Sequence, residues 1–250
     1  MVNVNTVYKT VLYILNKEQR GYITPDEFNN LATQVQLEIF EQYFEELNQQ
    51  LRTPQTNNEY ANRIKNLEEK IDVFKTSGVA TYVGPHFTLP TNLHRLGTLI
   101  YNTREIQAVN RNDYFRINNS PLTKPTESTP LYILEGTGSP SAAPSLAYVY
   151  PDTGTNAITS GVDVYYVKTP IPPIWAYTTG TLGQYLFADP GVLVPTPIPA
   201  TGSVNFELHP SEQVNIILNI LMYSGVIIRD PQIVQTAARM VQQDEALEKQ

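Results

Sequence analysis

Asn16–Phe28 reads NKEQRGYITPDEF, and the choice between two readings of it decides how the chain begins to fold. An EF-hand loop needs a shell of oxygen ligands, a glycine at its sharp turn and a closing glutamate. Counted from Asn16, Gly21, Ile23 and Glu27 fall where that loop wants them, but Arg20 places a guanidinium where a divalent cation needs an oxygen. The second reading uses every residue. Gly21 closes one helix, Thr24 is the N-cap of the next, Pro25 takes its first position, and Glu27 returns to Thr24 in a capping box. The stretch is the turn of a helical hairpin.

Working outward, Val4, Val7, Tyr8, Val11, Leu12 and Leu15 recur at spacings of three and four, one apolar face of a helix before the turn. After it, Phe28, Leu31, Val35, Ile39, Phe44, Leu47 and Leu51 continue the same period until Thr53-Pro54 stops it. Tyr60, Ile64, Leu67, Ile71 and Phe74 form a narrower seam, which Gly78 is expected to end. Residues 1–78 therefore read as a helical segment.

The composition then changes. Pro121–Pro210 holds fourteen of the nineteen prolines and only eight of the forty-one charged residues. Short β-forming runs recur between turn signals: ATYV, RLGTLIY, PLYIL, LAYVY, VDVYYV and VNFEL. KTPIPPIWAY and VLVPTPIPATG have too many prolines for central strands and read as extended arms lying on a surface. From Pro210 the helical period returns, with Val214, Ile217, Leu218, Leu221 and Met222 on one face. A loosening is expected at Ser224-Gly225 and a restart at Asp230-Pro231. The fold class expected is α+β: N- and C-terminal helices forming a helical bundle, with a central irregular antiparallel β domain. The expected domains are residues 1–78, 79–208 and 209–250, the last packing with the first.

Bulk properties remove several classes of function. No apolar run reaches membrane-spanning length, and MVNVNTVYKT lacks the basic head and apolar block of a secretory signal. With no cysteine there is no disulfide, thiolate metal site or cysteine nucleophile. A net charge of −7 opposes a nucleic-acid binder that works by neutralising phosphates.

Residues suited to catalysis do not converge by spacing. His86, His94 and His209 follow no metal-ligand pattern and read as turn and cap residues. GTGSP at Gly136–Pro140 is followed by SPSAAPS rather than a helix, and reads as a hairpin tip rather than a phosphate loop. Glu45-Glu46 and Glu68-Glu69 read as solvated helix faces. No catalytic residue, cofactor or metal site is assigned. Aromatic residues in the charge-poor middle are a different matter, since contact surfaces are rich in aromatics and poor in charge. Tyr165, Tyr166, Trp175 and Tyr177 are the candidate interface residues.

One resemblance covers all three segments. VNTVYKTVLYILNKEQRGYITPDEFNNLATQVQLEIFEQYFEELN, NRNDYFRINNSPLTKPT, the VYP and VDVYYVKTPIPPIW block, and LHPSEQVNIILNILMYSGVIIRDPQIVQTA resemble head–tail connector proteins of tailed bacteriophages, in particular those of crAss-like short-tailed phages. The resemblance implies a virion neck protein without enzymatic activity, assembled as a ring around the DNA channel with symmetry matched to a dodecameric portal. Its implied partners are further copies of itself, the portal and downstream tail proteins. DNA would pass without specific binding, and no membrane would be involved. The chain would be made in the host cytoplasm and end in the virion. Other readings stay open: a tail-tube or capsid-decorating protein, a calcium-binding interaction module using Asn16–Glu27, or a hydrolase whose groups meet only in the fold.

Overall fold

In the computed structural model, which describes residues 1–16, 22–52, 58–136, 146–152, 154, 157–191, 202–228, 235–236 and 238–243, the capping box at Thr24 is formed. The Thr24 amide donates to Glu27 Oε2 at 2.8 Å, and the Glu27 amide donates to Thr24 Oγ1 at 3.3 Å. The bond from the Thr24 amide holds the Glu27 carboxyl below its usual range, with the Thr24 hydroxyl adding to it. Gly21, Thr53-Pro54 and Asp230-Pro231 lie outside the described residues. The chain divides into two compact units, a discontinuous one of Met1–Val73 with Pro170–Gln250 and a continuous one of Phe74–Thr169. The α+β class holds.

The discontinuous unit contains α1 (Val4–Asn16), α2 (Pro25–Arg52), α3 (Asn58–Asp72) and α5 (Gln213–Ile228). Asn3 caps α1 by accepting from the amides of Asn5 and Thr6. Helix α1 buries Val4, Val7, Tyr8, Val11 and Leu15, the face its period implies. Helix α2 buries Phe28, Leu31, Val35, Ile39 and Phe44, and also Gln36 and Tyr43. Helix α5 packs on α1 and α2, and α3 packs on α2. Lys70 of α3 pairs with the buried Glu212 at 2.7 Å, in the short 3-10 turn Pro210–Glu212 that leads into α5. A buried ion pair of this kind fixes position more than it adds stability.

Helix α5 corrects two expectations. It runs unbroken through Ser224 and Gly225 to Ile228. Up to residue 225 its buried residues are Ile216, Asn219, Ile220, Leu221, Ser224 and Gly225, while Val214 is exposed. The polar members are accommodated because Asn219 Nδ2 donates to Asn215 Oδ1 and Ser224 Oγ donates to the Leu221 carbonyl.

VLVPTPIPATG lies outside the described residues but for Gly202, and the KTPIPPIWAY arm is corrected. Within the described residues it is built into the core, with Pro170, Pro173, Trp175 and Ala176 buried. It runs beside 202–208, where VNFEL forms single bridges, Ile174 to Val204 and Val2 to Phe206, instead of a strand. Helix side chains supply the missing strand partners. Asn29 of α2 accepts from the Trp175 amide at 2.7 Å and donates to the Trp175 carbonyl at 3.3 Å. Gln36 donates to the Ile171 carbonyl at 2.7 Å and accepts from the Glu207 amide at 3.1 Å. The hairpin β10 (Tyr177–Thr179) and β11 (Tyr185–Phe187) follows the arm. Residues 170–208 therefore belong with the helices, which moves the division of the chain from 208/209 to 169/170.

The continuous unit starts earlier than Gly78 suggests, because Gly78 lies inside a strand. Its four-stranded sheet has the order β1–β9–β4–β5, with β1 (Lys75–Val79), β4 (Leu93–Tyr101), β5 (Arg104–Glu105) and β9 (Val162–Lys168). Its five-stranded sheet has the order β2–β3–β8–β7–β6, with β2 (Thr81–Val83), β3 (His86–Thr88), β6 (Gln107–Ala108), β7 (Leu131–Glu135) and β8 (Leu146–Tyr150). Phe87, Tyr132, Ala147 and Val149 from one sheet share a core with Leu99, Val162, Val164 and Tyr166 from the other. The chain passes between sheets at two buried corners, Ala80 joining β1 to β2 and Ile106 joining β5 to β6. Edge strands thus continue into one another, which blunts exposed edges. The irregular antiparallel domain expected has one parallel pair, β6 with β7, and α4 (Arg111–Asn118) lies on the connection between them.

Candidate functional site

Leu93, Leu96 and Leu99 recur at a spacing of three, which no regular strand can bury on one face. Register shifts between Leu93 and Arg95, and again between Leu96 and Thr98, insert one extra residue each. Each insertion restores the alternation, so all three leucines and Tyr101 face the core. The second bulge requires glycine. A Cβ on Gly97 would stand 2.8 Å from the Tyr165 carbonyl oxygen.

The opposite face of this sheet is set by the same register. Lys75, Val167 and Arg95 form one row, Ser77, Tyr165 and Thr98 the next, and Val79, Asp163 and Ile100 a third. Over the first two rows lies an open groove of about 400 Å³ lined by Lys75, Ser77, Arg95, Gly97, Tyr165 and Val167. It combines two cationic side chains, hydroxyls and one half-exposed aromatic ring. This suits contact with another surface better than enclosure of a small molecule, which needs a concave, mostly buried site.

The four candidate interface residues are separated by the fold. Tyr165 is 48 % exposed and stands on the groove. Tyr166, its neighbour on β9, points the other way into the core and donates its hydroxyl to Asn92 Oδ1 at 2.9 Å. Trp175 and Tyr177 are buried in the other unit. The Trp175 ring lies 4.3 Å from that of Tyr8 and 5.9 Å from that of Tyr177, and its indole N–H donates to Asn5 Oδ1 at 3.2 Å. Burial pushes the Tyr8 hydroxyl far above the ordinary tyrosine range, with Tyr22 adding to it, and raises Tyr177 in the same way. Each fully buried ring contributes roughly 1.5–3 kcal/mol to the chain's own fold. Three of the four aromatics are therefore core, and Tyr165 alone remains available to a partner.

A second feature carried no sequence signal. Helix α4 buries none of its residues and stands over a cleft of about 670 Å³ beside β6 and β7. It is propped by the stacking of Tyr114 on Tyr150, ring centres 4.0 Å apart, and by the ion pair of Arg111 with Glu135. Only its length and lack of an apolar face kept it from being read, since eight residues carry little periodicity.

His86 sits on β3 with its ring 5.6 Å from that of Tyr148, and His209 caps the 3-10 turn through Nδ1. Among the described residues no group of three or more His, Cys, Asp or Glu is placed to hold a metal, and no helix is long and apolar enough to cross a membrane. Glu27, which the calcium reading needs as its closing ligand, spends its carboxylate on Thr24. Residues 17–21 of that loop and most of GTGSP lie outside the described residues. No family model matches the chain, and no match is found among curated proteins.

Proposed function

We propose that this chain is a structural protein of the neck of a tailed bacteriophage, a subunit of a ring that joins portal to tail around the DNA channel. The observation that carries the reading is the open sheet face around Tyr165, a half-exposed aromatic ring that the chain's own core does not use. The similarity of four separate sequence blocks to connector proteins supplies the setting. Helices from both chain ends, with α5 against α1 and α2, would act as one bundle docking beneath the portal. The β unit would meet neighbouring copies and the next tail component. An acidic chain suits a channel through which DNA slides, because like charge opposes phosphate contact. The reading assigns no reaction, cofactor or membrane to the protein.

Tyr165→Asp tests the proposal without threatening the fold, because the ring is half exposed. The variant should keep its circular dichroism spectrum and lose ring assembly in electron micrographs. Rings that form as in the wild type would count against the groove as a contact. Tyr166→Asp and Trp175→Asp are unsuitable, since a buried charge would unfold the chain before any interface was tested.

A further inference from the structure

The Tyr165 face ends at a strand edge that has no partner strand among the described residues. Strand β1 is terminal in its sheet, and its ladder to β9 uses every second residue. The Lys168 amide donates to the Phe74 carbonyl at 2.9 Å, and the Ala80 amide donates to the Val162 carbonyl at 2.9 Å. That phase turns the backbone of Thr76 and Gly78 toward β9 and the backbone of Ser77 and Val79 away from it. Of the edge strands in this unit β1 is the longest, and it lacks the devices that protect an edge. It contains no proline, its register with β9 is unbroken, and its one charge stands at its first residue. By comparison β5 has two residues, both charged. Ser77 is exposed, and Val79 is 66 % exposed.

Outward amides and carbonyls at strand spacing call for an extended strand, which alone presents matching groups. The sequence of this chain contains a segment suited to that place. In VLVPTPIPA, residues 192–200, prolines stand at 195, 197 and 199. Backbone groups of an extended chain point alternately to its two sides, so these prolines strip the N–H groups from one side. Val194, Thr196 and Ile198 keep theirs on the other. Each of the three also precedes a proline, which biases it to the extended region before any contact is made. A segment of this kind pairs on one side only and, once added, ends the sheet. We propose that residues 192–200 of a second copy of this chain add as a strand along the outer edge of β1, at the rim of the groove that Ser77 and Tyr165 line. This rests on the ring reading and names the partner of the Tyr165 face. Donor segment and acceptor edge are different parts of the chain, so the contact runs head to tail, as a closed ring requires.

The experiment is sedimentation equilibrium of the full chain for the wild type, Thr196→Pro, Thr196→Val, Ser77→Pro and Tyr165→Asp, with circular dichroism of each to check folding. Thr196→Pro removes a donor from the pairing side of the segment. Ser77→Pro removes one from β1, where that amide takes no part in the ladder to β9. Each should weaken self-association by about tenfold or more, the effect of leaving a buried hydrogen-bonding group unmatched. Thr196→Val keeps the amide and the branched side chain, and should associate like the wild type. Excess synthetic peptide of residues 190–201 should compete with association of the wild type, and the same peptide carrying Thr196→Pro should not. That comparison needs no altered protein, so it decides even where Ser77→Pro disturbs the fold. If Thr196→Pro associates like the wild type, the inference falls, and the ring reading stands as long as Tyr165→Asp dissociates. Equal loss in Thr196→Val and Thr196→Pro would also overturn it, because backbone pairing has no need of the threonine side chain. A wild type that stays monomeric at every concentration removes the ring reading and the inference with it.

Discussion

At Gly97 the bulge of β4 brings a backbone carbonyl so close that any side chain must displace β9. The Tyr165 oxygen would sit 2.8 Å from an added Cβ, and a carbonyl held in a ladder cannot swing aside as a flexible side chain would. Gly97→Ala should therefore cost about 1–3 kcal/mol, the usual range for overpacking. The check is the midpoint of urea unfolding; an unchanged midpoint would mean that the two strands separate more freely than the register implies. Such a glycine is visible in RLGTLIY, but its role is not, because the extra residue is defined only against the partner strand. The same holds for the candidate aromatics. Tyr165 and Tyr166 are adjacent and chemically identical, and only the register of β9 sends one to the groove and the other to the core.

At the scale of elements, the capped start of α2 was the most legible part of the chain, because capping is local chemistry that four consecutive residues specify. Its pH dependence follows from Glu27. A carboxyl held below its usual range contributes stability that is present above that range and is lost as pH falls through the lowered folded value. Glu27→Gln should therefore be less stable than the wild type at neutral pH, by no more than about 0.5 kcal/mol, because the carboxylate is exposed and screened by solvent and glutamine keeps part of the capping box. The two should converge in acid, where both side chains are neutral. Thermal melts across a pH series would detect this, and a gap that stayed constant into acid would contradict the role given to the carboxylate. Helix α5 was legible as a helix but not as a face. ILNILMYSGVII is apolar nearly all round, so periodicity could not choose a side. The choice was made by Asn219 and Ser224 finding partners on their own helix. Helix α4 was not legible at all, since it has no buried face to leave a pattern.

For the whole molecule, composition divided the chain where contacts do not. Residues 170–208 share prolines and aromatics with the β segment, but Asn29 and Gln36 bond their backbones as neighbouring strands would. A side-chain amide that imitates a peptide cannot be foreseen from a helical period. The division has a consequence for folding. Phe74–Thr169 is continuous and holds its own core, whereas the other unit needs both ends of the chain. A fragment of residues 74–169 should fold alone with a cooperative transition, and a fragment of residues 1–73 should not. Dispersed amide spectra for the first fragment would agree with this, and a collapsed spectrum would deny the unit its independence.

The central claim is that this chain is a ring subunit in a phage neck. Quantitative mass spectrometry of purified phage particles, counting this chain against the portal protein, tests it most directly. A ring matched to the portal predicts a ratio of about one to one. A ratio on the order of tens would place the chain in a tube or shell, because no single closed ring holds so many copies, and its absence from the particle would contradict the account.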